Sequence, residues 1–426
     1  MNRRDFLKDA TALTMTLAMA AGAEELFVQP ARADEEKPAG PPVNCAVIGL
    51  GAQGRDILAS LARLGNTPVV ALCDTYTVEA YIKRSKEIAP NAAFQEDYRK
   101  VLDNKDVQAV FVATPSHKHK QIVLDALAAG KHVYCEAPLA STIEEAKEIA
   151  KAGADAKTVF QSGLQYRANK QHQHVLSFVR SGTLGHVAGA RGQWHKKQSW
   201  RRAAPTPERE KELNWRLSKE SSGGLMGEIG IHQLDTATWF LKALPVSVLG
   251  FGGIMHWTDD GMEVPDTVQC IVEYPNHVRY LYDATLVDSF DGSYDMFMGS
   301  DCAMLLRDQR AWMFKETDSP LLGWEVYARK DKLAVGDETT GTGIALVADA
   351  TKLIAQGKQP GQVGTDVTKT ALYQALAAFC DSIRSGKKPA AGPLEGYQAT
   401  VIALKAHEAI LSGNKITFQK EWFDLA

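Results

Sequence analysis

The chain has 426 residues, enough for two domains with separate cores, and its 45% apolar and 23% charged residues are ordinary for a globular protein. A formal net charge of −3 argues against nucleic acid or an anionic membrane surface as partner, since both call for a strongly basic face.

Residues 1–33 read as a targeting segment rather than as part of the fold. Asn2-Arg3-Arg4-Asp5-Phe6-Leu7-Lys8 is a twin-arginine pattern, residues 10–23 form a short apolar run, and Ala31-Arg32-Ala33 offers a small-residue cleavage site. The run is too short for a comfortable transmembrane span. The expectation is a twin-arginine signal peptide, the export machinery as a transient partner, and a periplasmic destination. The competing reading is an amphipathic helix with a chance arginine pair. Twin-arginine passengers fold before export, in a reducing compartment. The six cysteines (45, 73, 135, 270, 302 and 380), none in Cys-x-x-Cys spacing, therefore read as thiols rather than as disulfides or zinc ligands. No metal site is expected.

Residues 34–42 form a polar, proline-rich linker. From 43 to 163, strands expected at 44–49, 68–74, 109–114, 132–135 and 158–163 alternate with helices at 53–64, 78–88, 118–129 and 142–154. This alternation predicts an α/β fold with a doubly wound parallel sheet. From 164 to 426 the pattern changes. Longer alternating runs at 187–194, 246–255, 267–274 and 278–286 predict an antiparallel sheet with one buried face. Helices are expected at 230–241, 368–385 and 395–411.

The first strand runs into Gly49-Leu-Gly51-Ala52-Gln53-Gly54, which opens a helix. The first glycine suits the tight turn, the second a close backbone approach to a pyrophosphate, and the third helix–strand packing; the helix N terminus then faces the phosphates. Asp74 ends the next strand, where a carboxylate binds ribose hydroxyls. It favours NAD over NADP, whose 2′-phosphate would meet like charge, although Lys83 and Arg84 lie within reach in sequence.

Three further stretches, Ala113-Thr-Pro-Ser-His-Lys-His119, Ala129-Gly-Lys-His-Val-Tyr-Cys-Glu-Ala-Pro138 and Gly223-Gly-Leu-Met-Gly-Glu-Ile-Gly-Ile-His-Gln-Leu-Asp235, resemble the Gfo/Idh/MocA oxidoreductases. The resemblance implies a Rossmann domain followed by an α+β domain on an open, mostly antiparallel sheet, with the terminal helices packing back. It implies a sugar or polyol bound between the two, a nicotinamide cofactor, and a homo-oligomer paired through the open sheet. It places Thr114, Pro115 and His119 in a cofactor-side loop and Glu136 along the nicotinamide ribose. Gln165, Tyr166 and Arg167 would line nicotinamide and substrate, and His232 the catalytic centre.

Two positions depart from the family pattern. Ala137 stands where the resemblance implies a lysine, and Glu228 where it implies an aspartate. Glu228 and His232 are one helical turn apart and are expected to pair as carboxylate and imidazole. Oxidation of a carbinol needs a group that takes the hydroxyl proton. With Ala137 inert, His232 is the first candidate and Tyr166 the second, the latter alternatively a stacking wall for a sugar ring. Export adds a constraint: soluble NAD is not expected outside the cytoplasm, so the cofactor would travel tightly bound and be reset at each turnover. Three readings follow: an NAD-dependent carbohydrate oxidoreductase, a redox-neutral glycoside-cleaving enzyme with a transient 3-keto intermediate, and a non-catalytic sugar-binding protein.

Overall fold

The structure is a computed structural model that describes residues 40–425 apart from 308, 324, 326–329, 336–337 and 347–368. The expected signal segment 1–33, most of the 34–42 linker, and the first residue of the helix expected at 368–385 lie outside the described residues.

Short strands build the first sheet: β1 (Cys45–Ile48), β2 (Val69–Cys73), β3 (Ala93–Gln95), β4 (Ala109–Val112), β5 (His132–Cys135) and β6 (Phe160–Ser162). They pair in parallel in the order β3-β2-β1-β4-β5-β6. Their helices are α1 (Ala52–Arg63), α2 (Glu79–Ile88), α3 (Tyr98–Asp103), α4 (His119–Ala128) and α5 (Ile143–Asp155). Successive side chains of a strand enter different cores, as its pleat requires. Cys45, Val47, Phe111 and Tyr134 pack with Ile57, Leu58 and Leu61 of α1. Ala46, Ile48, Val110 and Val112 pack with Ile122 and Val123 of α4 and Ile149 of α5. The sheet is thus buried on both faces. The strand order turns between β1 and β4, which leaves a crevice at their carboxyl ends.

After α6 (Lys170–Arg180) and β7 (Val187–His195) comes a long connection holding the short α7 (Pro207–Leu213). A π-helical turn, Met226–Gly230, then feeds α8 (Ile231–Leu241). The remaining strands are β8 (Ser247–Gly253), β9 (Thr267–Glu273), β10 (Arg279–Thr285), β11 (Ser293–Gly299), β12 (Cys302–Arg307), β13 (Arg310–Glu316), β14 (Lys330–Val335) and β15 (Glu338–Leu346). With β16 (Ile416–Thr417) they form a ten-stranded sheet, β14-β15-β13-β12-β11-β7-β10-β9-β8-β16. Its pairs are antiparallel except β7 with β10. Alternation made its antiparallel pairing legible, but not the parallel β7–β10 pair. One face takes α8, with Phe240 stacked on Phe297 at 4.8 Å.

Two terminal helices tie the sheets together. Phe379 of α9 (Ala371–Ser385) packs edge-on against Phe111 and Tyr134, at 5.4 and 5.8 Å, on the α1 side of the parallel sheet. Thr400 of α10 (Pro393–Ser412) accepts the Leu139 N–H at 3.1 Å, while Ile410 lies against Gly250 of β8.

Candidate functional site

The glycine loop is shaped by close approaches. Gly49 has φ +94°, and a Cβ there would stand 2.6 Å from the Ala113 carbonyl oxygen. At Gly54 a Cβ would stand 1.8 Å from the Gly49 oxygen, so α1 meets β1 only without a side chain. At Gly51 a Cβ would meet nothing within 4 Å, leaving that side of the loop open. α1 begins without a side-chain cap or an acidic first turn, so the N–H groups beginning with Ala52 and Gln53 are available to an anion.

Around this loop the chain supplies polar groups. Asp74 accepts the Leu50 N–H at 2.6 Å and the Tyr76 N–H at 2.8 Å. Each carboxylate oxygen keeps a second lone pair for a hydroxyl donor. Gln53 Nε2 donates to Glu136 Oε1 at 2.9 Å, joining the loop to the end of β5. Burial pushes the Glu136 carboxyl up to about 7, while the bonds from Gln53 and the Ala137 N–H pull it down. Thr114 Oγ1 is buried with no partner among the described residues, next to half-buried Pro115. An uncapped helix, an open glycine and an orphaned hydroxyl fit a dinucleotide with its pyrophosphate at the loop.

His119 stands elsewhere than expected. It is 1% exposed, with Nε2 2.9 Å from the Thr114 carbonyl and Nδ1 3.1 and 3.2 Å from those of Pro138 and Leu139. Buried on backbone, it holds the Thr114 loop against the cis Ala137–Pro138 turn and has no face left for a cofactor. Arg167 is also turned away. Its guanidinium grips Asp235 through three contacts of 2.7 to 3.1 Å and lies 5.5 Å from the Trp239 ring centre. A buried carboxylate needs a paired cation, and that requirement takes Arg167 away from the crevice. Gln165 is half-buried at the head of the same turn, Gln165–Ala168.

Tyr166 and His232 are brought together, edge to face, with ring centres 6.0 Å apart. The other side of Tyr166 stacks on His172 at 4.5 Å. Burial lowers the His232 imidazole to about 4, so it is neutral over the neutral pH range. Glu228 does not pair with it. Glu228 lies within the π-helical turn, which closes over five residues rather than four, so the one-turn spacing no longer sets both side chains on one face. His232 Nδ1 is left with no partner among the described residues. Glu228 instead accepts Ser116 Oγ at 3.2 Å and faces Arg216 Nε at 3.5 Å. Burial raises the Glu228 carboxyl, against the lowering pull of Arg216 and Ser116. Ser116 and Arg216 were missed by the sequence reading. Ser116 lies inside the Ala113–His119 motif, whereas nothing local marks Arg216.

A model described as an oxidoreductase family with an NAD-binding Rossmann fold (Gfo/Idh/MocA) matches residues 43–164. A second, the Gfo/Idh/MocA C-terminal domain, matches 172–298. Levoglucosan dehydrogenase of Pseudarthrobacter phenanthrenivorans is 32% identical over 38% of this chain and 41% of its own length. 2,7-Anhydro-N-acetylneuraminate hydratase of Escherichia coli is 26% identical over 55% of this chain and 59% of its own. The matches therefore span less than two thirds of either relative. The solved levoglucosan dehydrogenase in complex with NADH and L-sorbose superimposes with a TM-score of 0.70 at 18% identity, covering 88% of this chain and 99% of that one. At that identity the likeness is one of fold. The two family models together take in more than half of the chain, and they do so on the two sheets that frame the crevice: the chain belongs to the Gfo/Idh/MocA family of oxidoreductases.

Proposed function

We propose that the protein is an NAD-dependent oxidoreductase of a sugar, polyol or related carbohydrate, with tightly held cofactor reset within the site. The observation that carries this is the Ser116–Glu228 bond, which ties the end of β4 to the turn that delivers His232. It sets a neutral imidazole and a tyrosine beside a crevice whose other side is the glycine loop.

In this reading Gly49, Gly51, Ala52, Gln53 and Gly54 hold the pyrophosphate and Asp74 the adenosine ribose. Thr114, Pro115, Glu136 and Gln165 line the nicotinamide half. When bound, the cofactor supplies hydride acceptance and return at a carbinol carbon. His232, kept neutral by burial, takes the hydroxyl proton as that carbon is oxidised and returns it on reduction. Tyr166 walls the substrate side and holds the imidazole edge-on. Arg167 and His119 act from behind, fixing the turns that carry Tyr166 and Thr114.

A second reading is a redox-neutral enzyme that oxidises a sugar transiently, cleaves or adds at the neighbouring position, and re-reduces it. The hydratase among the relatives favours it, since addition of water is not a net oxidation.

Two further parts of the proposal concern place and assembly. The segment 1–33 serves twin-arginine export, and a periplasmic enzyme would need the resident cofactor. The outer face of the large sheet pairs two copies of the chain. One ladder row there runs Leu249, Ile271, Leu281, then Arg191, then Met296, Leu305 and Trp312. Ile271 and Leu281 are 45% and 42% exposed, and neighbouring Phe251 63%. So large an apolar face suits burial against a second copy.

The test is to recover the mature protein from the periplasm, denature it and quantify dinucleotide. About one NAD per chain is expected, by the tight-binding reading. The same preparation, without added cofactor, is then given paired sugars and a panel of aryl glycosides. Oxidised and reduced sugars together support the first reading, and aglycone release supports the second. Absence of dinucleotide, with none taken up on addition, removes both and leaves a sugar-binding protein.

A further inference from the structure

Residues 196–222, between the end of β7 and the approach to the π-helical turn, run without a strand. Connections of that length in a compact domain usually carry a task. This one is pinned to its own domain along one side. Ser199 Oγ bonds Asp260 Oδ2, and Arg201 Nη1 donates to the Asp260 carbonyl at 2.8 Å. Further along, Glu263 accepts Ser218 Oγ at 3.0 Å and the Lys219 N–H at 3.1 Å. Asn214 closes the segment on itself, accepting the Arg202 N–H at 2.6 Å and donating to the Arg202 carbonyl at 3.0 Å.

On its other side the segment reaches the carboxyl edge of the parallel sheet at two points. From α7, Arg209 Nη2 donates to the Thr75 carbonyl, and its guanidinium lies 5.7 Å from the Tyr76 ring centre. From the turn after α7, the Trp215 ring lies 5.8 Å from that of His117, and Arg216 meets Glu228. Thr75 and Tyr76 follow Asp74 at the end of β2. His117 follows Pro115 beyond the end of β4. In the sheet, β1 and its glycine loop lie between those two strands. The segment therefore spans the crevice from the adenosine flank to the nicotinamide flank.

We propose that residues 196–222 form a clasp over the dinucleotide crevice, and that Arg209, latched on Thr75 and Tyr76, sets the rate at which NAD leaves. This rests on the reading of that crevice as the NAD site. Departure of the adenosine half requires the Arg209 bond and its ring contact to break together, because both hold the same flank. Charge alone does not account for the latch: Arg55 and Arg84, 5.9 and 5.6 Å from the Tyr81 ring centre, keep this end cationic without Arg209. Arg209→Lys therefore keeps the charge and loses the fork.

The experiment loads wild type, Arg209→Ala, Arg209→Lys, Tyr76→Leu and the double variant Arg209→Ala/Tyr76→Leu with NADH, chases with excess NAD, and follows nicotinamide fluorescence. Release should be about tenfold faster in Arg209→Ala, with association changed far less. Arg209→Lys should resemble Arg209→Ala, and the double variant should release no faster than the faster single one, because the two residues form one latch. Release from Arg209→Ala within twofold of wild type, or additive effects in the double variant, overturns the clasp while leaving the NAD site standing. Failure of wild type to bind NADH at all overturns both, and shows as absence of any bound fluorescence before the chase.

Discussion

His232 illustrates how much of this site is set by burial rather than by charged partners. Among the described residues no carboxylate meets Nδ1, and desolvation lowers its pKa. His232→Ala is expected to lower turnover by about 10² to 10⁴, the usual contribution of a positioned acid–base group, while extracted NAD stays at the wild-type level. The acid limb of turnover should fall near pH 4, where the imidazole gains its proton, and not near the ordinary histidine value of 6.5. A limb at 6.5, or full turnover in the variant, would remove His232 from the role. At this scale the glycine loop was legible because its requirements are local: Gly49 and Gly54 each face backbone a few residues or one strand away. Arg167 and His119 were not, because their partners are a distant aspartate and three backbone carbonyls, and neither has a sequence signature.

Elements were legible where periodicity speaks and illegible where it is interrupted. Alternation marked β7 to β10, and the β-α rhythm marked the parallel sheet. The π-helical turn has no period of its own. Its glycines are a partial sign, since a Cβ on Gly230 would stand 3.0 Å from Tyr282, and Gly223, just before the turn, is as tightly placed, 3.0 Å from Leu404. β11 carries a further buried acid that alternation cannot distinguish from an apolar position. Asp295 accepts Tyr280 Oη at 2.9 Å, and Gln233 Nε2 lies at 3.5 Å. Burial pushes it from 3.8 up to about 7. The folded state therefore holds a proton that the unfolded chain releases near pH 4, so stability is lost as pH rises from about 4 to 7. Asp295→Asn removes that loss, because the amide carries no proton to release. Denaturant unfolding should show the variant gaining up to a few kcal/mol over wild type at pH 8, at ~1.4 kcal/mol per pH unit of that window, and little or nothing at pH 4. An equal effect at both pH values would mean that folding leaves the Asp295 pKa where it is in the unfolded chain.

Across the whole molecule, the large sheet presents α8 on one side and an apolar ladder on the other. Wild type is expected to run as a dimer by light scattering, and Ile271→Glu with Leu281→Glu as a monomer with its NAD retained. A monomeric wild type would assign that face another occupant. The passage from the parallel sheet to the large sheet was readable from the change of rhythm near residue 164. The weaving of the C-terminal helices into both sheets could not be derived from the residues, because amphipathic helices such as α9 and α10 declare that they pack, not against what. That weave has a consequence in time. Phe379, which seals Phe111 and Tyr134 from behind, is made after nearly nine tenths of the chain. The ribosome delivers the glycine loop early and the floor beneath it late, so a nascent chain halted before α9 has the residues proposed to hold the dinucleotide and no finished core to hold them in place.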